Sequence, residues 1–207
     1  ILGSTSDGFG PDRPAYIGKF LAEREDVVVV TIQYRLGPLG FLALPELSAE
    51  SEQGASGHYA HLDQIAALKW VREHITRFGG DTERVLVFGQ SGGAINTCTL
   101  LASPLARGLF TSALLQSGAC SFRTLEQSEA QHDVGVELLA ECVDAPDRLA
   151  CLRGLPFERI VSTIPGSIGV GVGESIEGGE GMVYGPVVDG YLLPDAPLAL
   201  IERGEHN

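Results

Sequence analysis

A serine flanked on both sides by glycines two residues away, Gly89-Gln90-Ser91-Gly92-Gly93, is the grouping in this chain best suited to covalent chemistry. A serine hydroxyl is a weak nucleophile. Acyl transfer therefore needs it on a sharp turn, where a base can reach it and backbone N–H groups face the developing oxyanion. Glycine at either side permits such a turn, because a side chain there would collide with the entering strand or the departing helix. The bland alternative is a glycine-rich turn with an incidental serine. Context separates the two, since a nucleophile elbow requires a strand immediately before it and a helix immediately after.

The flanking residues predict that context. Val85-Leu86-Val87-Phe88 reads as a short buried strand, and residues 92–102 read as a helix ended by Ser103-Pro104. Ala113-Leu114-Leu115 gives another strand, closed by Ser117-Gly118. Upstream, Val27-Val28-Val29-Val30-Thr31-Ile32 is a β-branched run without polar alternation, expected as a strand buried on both faces of a parallel sheet. Leu62, Ile65, Leu68, Val71, Ile75 and Phe78 recur at three- and four-residue intervals, which predicts an amphipathic helix stopped by Gly79-Gly80. Strands alternating with helices argue for an α/β fold with a mostly parallel sheet flanked by helices.

After Cys120 the texture changes. Residues 126–142 are mostly helix-forming, 146–153 suggest a short helix, and 165–182 carry seven glycines. The stretch from Gly166 to Ser175 invites a phosphate-loop reading, but it lacks the lysine and no strand leads into it, so a flexible loop is expected. Residues 198–203 read as a closing helix with Gly204 as its stop.

Composition excludes several functions. The 207 residues carry 14 Lys and Arg against 27 Asp and Glu, a net charge of −13, which disfavours nucleic acid as a partner. Hydrophobic residues make up 44% and charged ones 20%, so a packed core is expected rather than disorder. No apolar run approaches the roughly 18–20 residues of a membrane span. The first residue is Ile1, not methionine, so processing or truncation is expected to have produced this end.

Several motifs together resemble the type-B carboxylesterases, the carboxylesterase and cholinesterase family with the α/β-hydrolase fold. Phe78-Gly79-Gly80-Asp81 followed by residues 85–93 is similar to the family's active-site signature. Supporting matches are residues 27–40, Asp63-Gln64 with residues 67–71, Leu115-Gln116-Ser117-Gly118, and residues 185–190. The resemblance implies that residues 1–207 form the central part of a single α/β-hydrolase domain, incomplete at both ends, with 121–182 as a helical and Gly-rich excursion near the active site. It implies Ser91 as the acyl-forming nucleophile, the Gly92 N–H as an oxyanion donor, Gly89, Gln90 and Gly93 as the rest of the elbow, and Ser117 as a supporting residue beside the catalytic His. That His and the catalytic acid are expected outside this chain, because His132 falls in a predicted helix and His206 near the last residue. Without them the 207 residues alone are expected to have no turnover, and to aggregate or stay molten. The implied substrate is a small-molecule carboxylic ester, with no cofactor and no metal. Two alternatives remain: a non-catalytic binding or adhesion module, and an acyl hydrolase acting on amides, lactones or thioesters.

The chain also departs from the family pattern. Gln90 stands where Glu is usual, which weakens any preference for cationic esters. Gly92 replaces Ala, a neutral change for a backbone donor. His58 and Ala60 replace Asn and Gly, which implies a differently shaped entry to the following helix.

The remaining candidates have plainer readings. His58, His61 and Asp63 suggest a metal pair, but no third ligand is placed by spacing, and solvated residues at a helix start are expected. His74 reads as surface, Asp63 as structural, and Glu50, Glu52, Glu174, Glu177 and Glu180 as solvated. Trp70, Phe78 and Phe88 are expected in the core. The cysteines at 98, 120, 142 and 151 form no C-x-x-C pair, which argues against zinc or thioredoxin-like chemistry. Cys98 reads as buried packing. The resemblance implies a Cys142–Cys151 disulfide and an oxidising or extracellular compartment, against reduced cysteines in the cytosol.

Overall fold

A computed structural model describes residues 18–164, 166, 169–172, 175–178 and 183–207. Residues 1–17, Glu174, Glu180 and much of the Gly-rich stretch lie outside the described residues. Helix α1 (Lys19–Glu25) precedes an extended segment, then α2 (Gly37–Phe41), α3 (Pro45–Glu50) and α4 (Tyr59–His74) follow. A 3-10 turn, Ile75–Phe78, extends α4 to Gly79, whose φ of +83° suits glycine and stops the helix at its predicted end. Strand β1 (Leu86–Gln90), α5 (Gly92–Ala102) and β2 (Ser112–Gln116) come next, matching the alternation read from the sequence.

The excursion begins with β3 (Arg123–Thr124) and α6 (Leu125–Val136), which starts on a capping box between Thr124 and Gln127. Helix α7 (Ala140–Val143), α8 (Arg148–Gly154) and α9 (Phe157–Thr163) follow, so the expected helix over 126–142 is broken at 137–139. Residues 169–178, expected as loop, hold β4 (Gly169–Val172) and β5 (Ser175–Gly178) paired antiparallel. Strand β6 (Val187–Val188) then pairs parallel with β3, so the chain returns beside the point where the excursion left. Helix α10 (Pro197–Glu202) ends at Gly204, φ +72°.

Two larger clusters form the core. One packs Ile65 and Leu68 of α4 against Val87 of β1, Leu100 of α5, Phe110 and Leu192. It clamps the sheet edge between the helix before it and the helix after it. The other gathers Leu44, Val136, Leu139, Cys142, Leu152 and Ile164, and it binds the excursion's helices to α3's entry. Within it the Cys142–Cys151 disulfide is formed, as the family resemblance implies. On the chain-entropy model a loop of this length stabilises by about 2.7 kcal/mol.

Further expectations need correction. Residues 27–32 join no ladder among the described residues, and Val27, Val28 and Val30 are 40–45% exposed. They line a cleft of about 780 Å³ shared with Val85, Leu86, Val87, Leu68 and Val71. A β-branched run favours extended backbone, but a strand needs a neighbour within about 5 Å, and the cleft separates this run from β1. Trp70 and Phe78 are 46% and 61% exposed rather than core, their rings tilted at 42° to each other with centroids 5.9 Å apart. Cys98 is fully buried as expected, yet it is bonded to Cys120 rather than merely packed. Among the described residues no helix is long and apolar enough to cross a membrane.

Leu139 is fully buried in the second cluster, so Leu139→Ala should cost about 2–5 kcal/mol. The urea midpoint should fall with the m-value unchanged; an unshifted midpoint would mean the cluster carries little of the stability.

Candidate active site

Ser91 occupies the one-residue junction between β1 and α5. Its backbone lies at φ +54°, ψ −120°, a region that L-residues rarely adopt and that costs of order 1–3 kcal/mol. Three hydrogen bonds offset that cost. The Ser91 N–H donates to the carbonyl of Gln116 at 2.9 Å, and the Ser91 carbonyl accepts from the N–H groups of Ala94 at 2.9 Å and Ile95 at 3.1 Å. Ser91 is therefore the N-cap of α5 through its backbone alone, and its side chain makes no capping bond. Serine hydroxyls usually satisfy a first-turn N–H at this position. Here the side chain is exposed, and among the described residues it makes no capping bond.

The elbow's other residues are arranged around it. Gly89, Gly92 and Gly93 are buried, while Gln90 is exposed. The N–H groups of Gly92 and Gly93 open α5, where no carbonyl four residues back exists to accept them and the helix dipole favours negative charge. The parallel register of β1 and β2 pairs Gln90 with Gln116, so the strands end level. Each is followed by Ser-Gly, and Ser117, like Ser91, has a positive φ, +53°. Gly118 then runs so close to the elbow that a Cβ on it would sit 2.5 Å from the Cβ of Ala94 and 2.7 Å from the Ser91 carbonyl oxygen.

The helix bearing the elbow is held by buried polar groups. Thr97 and Thr99 donate to the carbonyls of Gly93 and Ile95, each four residues back. Asn96 donates to the Tyr34 hydroxyl at 3.1 Å, and its carbonyl oxygen lies 3.1 Å from His61 Nε2. Burial, with His58 nearby, pushes His61 down to about 4, so it is neutral at pH 7. The neutral tautomer that donates from Nε2 satisfies Asn96.

The two histidines expected as solvated are buried and work separately. His58 Nδ1 lies 2.8 Å from Asp189 Oδ2, and both side chains are 5% exposed or less. The other oxygen of Asp189 accepts from the N–H groups of Tyr191, Leu192 and Leu193. Burial would raise the Asp189 carboxyl, but the hydrogen bond and charge of His58 and the backbone donors outweigh it and hold it below its ordinary range. Among the described residues no three His, Cys, Asp or Glu side chains converge as a metal site.

Asp63 has the structural role expected, accepting from the Arg35 backbone N–H at 3.0 Å and from its guanidinium at 2.8 and 2.7 Å. His132 accepts from Ala43 N–H and lies 3.1 Å from the Val183 carbonyl, and burial pushes it down to about 4. His74 sits edge-on to Trp70, and His206 bonds the Asn207 carbonyl. None of the five histidines is hydrogen-bonded to Ser91.

A family model described as the Carboxylesterase family matches residues 3–207. The chain belongs to the carboxylesterase family. Among curated members it is 45% identical over 191 residues to the para-nitrobenzyl esterase of Bacillus subtilis, covering 92% of this chain and 37% of that protein. It is 42% identical over 206 residues to the fumonisin B1 esterase of Sphingopyxis macrogoltabida, covering 99% of this chain and 35% of that one. The crystal structure of a Geobacillus stearothermophilus carboxylesterase superposes with a TM-score of 0.81 at 36% identity, covering 99% of this chain and 40% of that chain. The fold is thus the α/β-hydrolase fold of the carboxylesterases, and this chain spans less than half the length of these relatives.

The motifs at 27–40, 63–71 and 85–93 were legible, but several contacts that tie the candidate site together were not. Residues 185–190 signalled family membership without revealing that Asp189 pairs with His58. The Gly118 approach and the Cys98–Cys120 bond join segments remote in sequence, with no local signal beyond the residue types.

Two outcomes are expected. Gly118→Ala should destabilise by about 1–3 kcal/mol through overpacking against Ser91 and Ala94, read as a lower melting temperature. His61 and His132 bind protons less readily folded than unfolded, so the unfolded state takes up more protons between pH 6.5 and 4. Stability should be full above pH 6.5 and fall as pH drops through that window, by up to about 1.4 kcal/mol per pH unit for each histidine. A flat urea midpoint from pH 7 to 4.5 would contradict this.

Proposed function

We propose that this chain carries the nucleophile and part of the oxyanion hole of a serine carboxylesterase, and that the longer protein hydrolyses small-molecule carboxylic esters. The observation that carries the reading is the exposed Ser91 hydroxyl, without a capping bond among the described residues, at a positive-φ junction directly before the first-turn amides of α5, which have no intrahelical acceptor. Ser91 Oγ attacks the ester carbonyl while a histidine takes its proton, and the Gly92 N–H holds the developing oxyanion. Collapse expels the alcohol and leaves an acyl-enzyme on Ser91, which water then cleaves. Gly89 and Gly93 give the turn its room.

All five histidines of this chain are engaged elsewhere or remote in their bonding, so the base and its acid partner are assigned to the remainder of the protein. Ser117, at the matching strand end, is assigned a supporting position beside that histidine. Neutral Gln90 beside the nucleophile disfavours cationic esters. No cofactor or metal enters this scheme. Residues 1–207 are read as the central part of one domain, with 121–182 as an excursion beside the site, a reading supported by the pairing of β3 with β6. Two disulfides fit an oxidising compartment. The para-nitrobenzyl and fumonisin B1 esters named for two relatives mark the breadth of esters that such a scaffold serves.

The test is covalent labelling of the full-length protein by a fluorophosphonate, together with hydrolysis of a nitrophenyl ester. Both should be lost in Ser91→Ala, with kcat down by about 10⁴–10⁶-fold. Labelling that persists in Ser91→Ala, or no labelling of the wild type, overturns the reading, and the second result favours a binding module. The 207-residue chain alone should show no turnover.

A further inference from the structure

The loop that follows β2 is fastened to the helix that follows Ser91. Gly118 supplies one contact, at the first turn of α5, where its missing side chain lets the loop touch Ala94 and the Ser91 carbonyl. The Cys98–Cys120 disulfide supplies the other, with Cα atoms 5.5 Å apart. Cys98 lies seven residues beyond Ser91, roughly 20° short of two full helical turns, so it shares the face of α5 that Ser91 heads and lies about 10 Å along the axis. The two fixed points hold the first two turns of α5 against the C-terminal end of β2.

That end of β2 also carries Gln116, whose carbonyl accepts the Ser91 N–H. The circuit Ser91, α5, Cys98, Cys120, Gly118 and Gln116 therefore closes on itself through one covalent bond, one close backbone approach and one hydrogen bond. A residue held at positive φ relaxes by rotating the chain on either side of it. Here that rotation would swing the first turn of α5 and redirect the Gly92 N–H and the Ser91 hydroxyl together. With the circuit closed, the disulfide restrains α5 from turning against β2. The other disulfide, Cys142–Cys151, joins α7 to α8 in the excursion and makes no such circuit.

We propose that the Cys98–Cys120 disulfide is a positioning element for the reaction of Ser91, holding the elbow's alignment rather than only adding stability. The proposal rests on the reading of Ser91 as the nucleophile. It makes activity redox-dependent. A dithiol reductant attacks one sulfur through a mixed disulfide, the S–S bond breaks, two protein thiols form, and the reductant leaves as its cyclic disulfide. Cys98 is fully buried and Cys120 only partly so, which makes Cys120 the accessible sulfur.

The experiment uses the full-length protein, well below its melting temperature, in three forms: wild type, Cys98→Ala/Cys120→Ala and Cys142→Ala/Cys151→Ala. Fluorophosphonate labelling rate, kcat and KM on a nitrophenyl ester are measured for each. Loss of the 98–120 bond should lower kcat and labelling rate by about 10-fold or more, with KM changed by less than about twofold, since a displacement near 1 Å can cost up to ~10²-fold. Loss of the 142–151 bond should leave all three unchanged. Dithiothreitol treatment of the folded wild type, with alkylation and mass analysis to show which thiols were freed, should reproduce the loss, and reoxidation should restore it. This arm also carries the test if Cys98→Ala/Cys120→Ala does not fold. An unchanged kcat after the 98–120 bond is opened, an equal loss in both double variants, or free thiols at 98 and 120 in the active native protein overturns the proposal. If labelling instead persists in Ser91→Ala, it is the nucleophile reading that has failed.

Discussion

A single backbone torsion governs the candidate site: Ser91 must hold φ +54° while a parallel strand ends on one side of it and a helix begins on the other. Such a conformation does not persist by itself, because a residue with a Cβ relaxes toward negative φ when its surroundings allow. The surroundings forbid it. Strand β1 is registered against β2, the Ser91 N–H is committed to Gln116, and α5 is buried along most of its length. The same arrangement leaves the hydroxyl without a capping role and the first amides of α5 without acceptors, the two features acyl chemistry requires.

Burying α5 brings polar side chains into the core, and each needs a partner there. Thr97 and Thr99 find theirs within the helix, whereas Asn96 draws on Tyr34 and on His61 of α4. His61 and His132, with neutral hydrogen-bond partners, are pushed toward the uncharged form by burial. His58 Nδ1 lies against the carboxylate of Asp189. Asp189 is in turn held by three backbone N–H groups of the following turn, so the His58 pair links the start of α4 to the segment after β6. Structural histidines of this kind occupy every buried imidazole in the chain.

Much of the local structure was legible in the residues. Residues 92–102 were expected as a helix and are α5 to the residue; Ala113-Leu114-Leu115 falls inside β2; Gly79 and Gly204 stop their helices at positive φ. These features depend on propensities and turn chemistry carried by neighbouring residues. The failures share a different cause. The valine run at 27–32 prefers extended backbone, but a ladder depends on a second strand beside it, and no described residue supplies one. Trp70 and Phe78 were expected in the core, yet the face they occupy is uncovered.

By itself the sequence determined the family, the elbow pentapeptide, and the order and type of the elements around it, because each of these is written in residue types a few positions apart. Only the tertiary structure decided that Cys98 bonds Cys120, that His58 meets Asp189 and that Gly118 lies against Ser91. Those pairings join segments tens to more than a hundred residues apart. Their partners are chosen by how β1, β2 and the helices pack, a property of the whole fold that no local window of sequence contains.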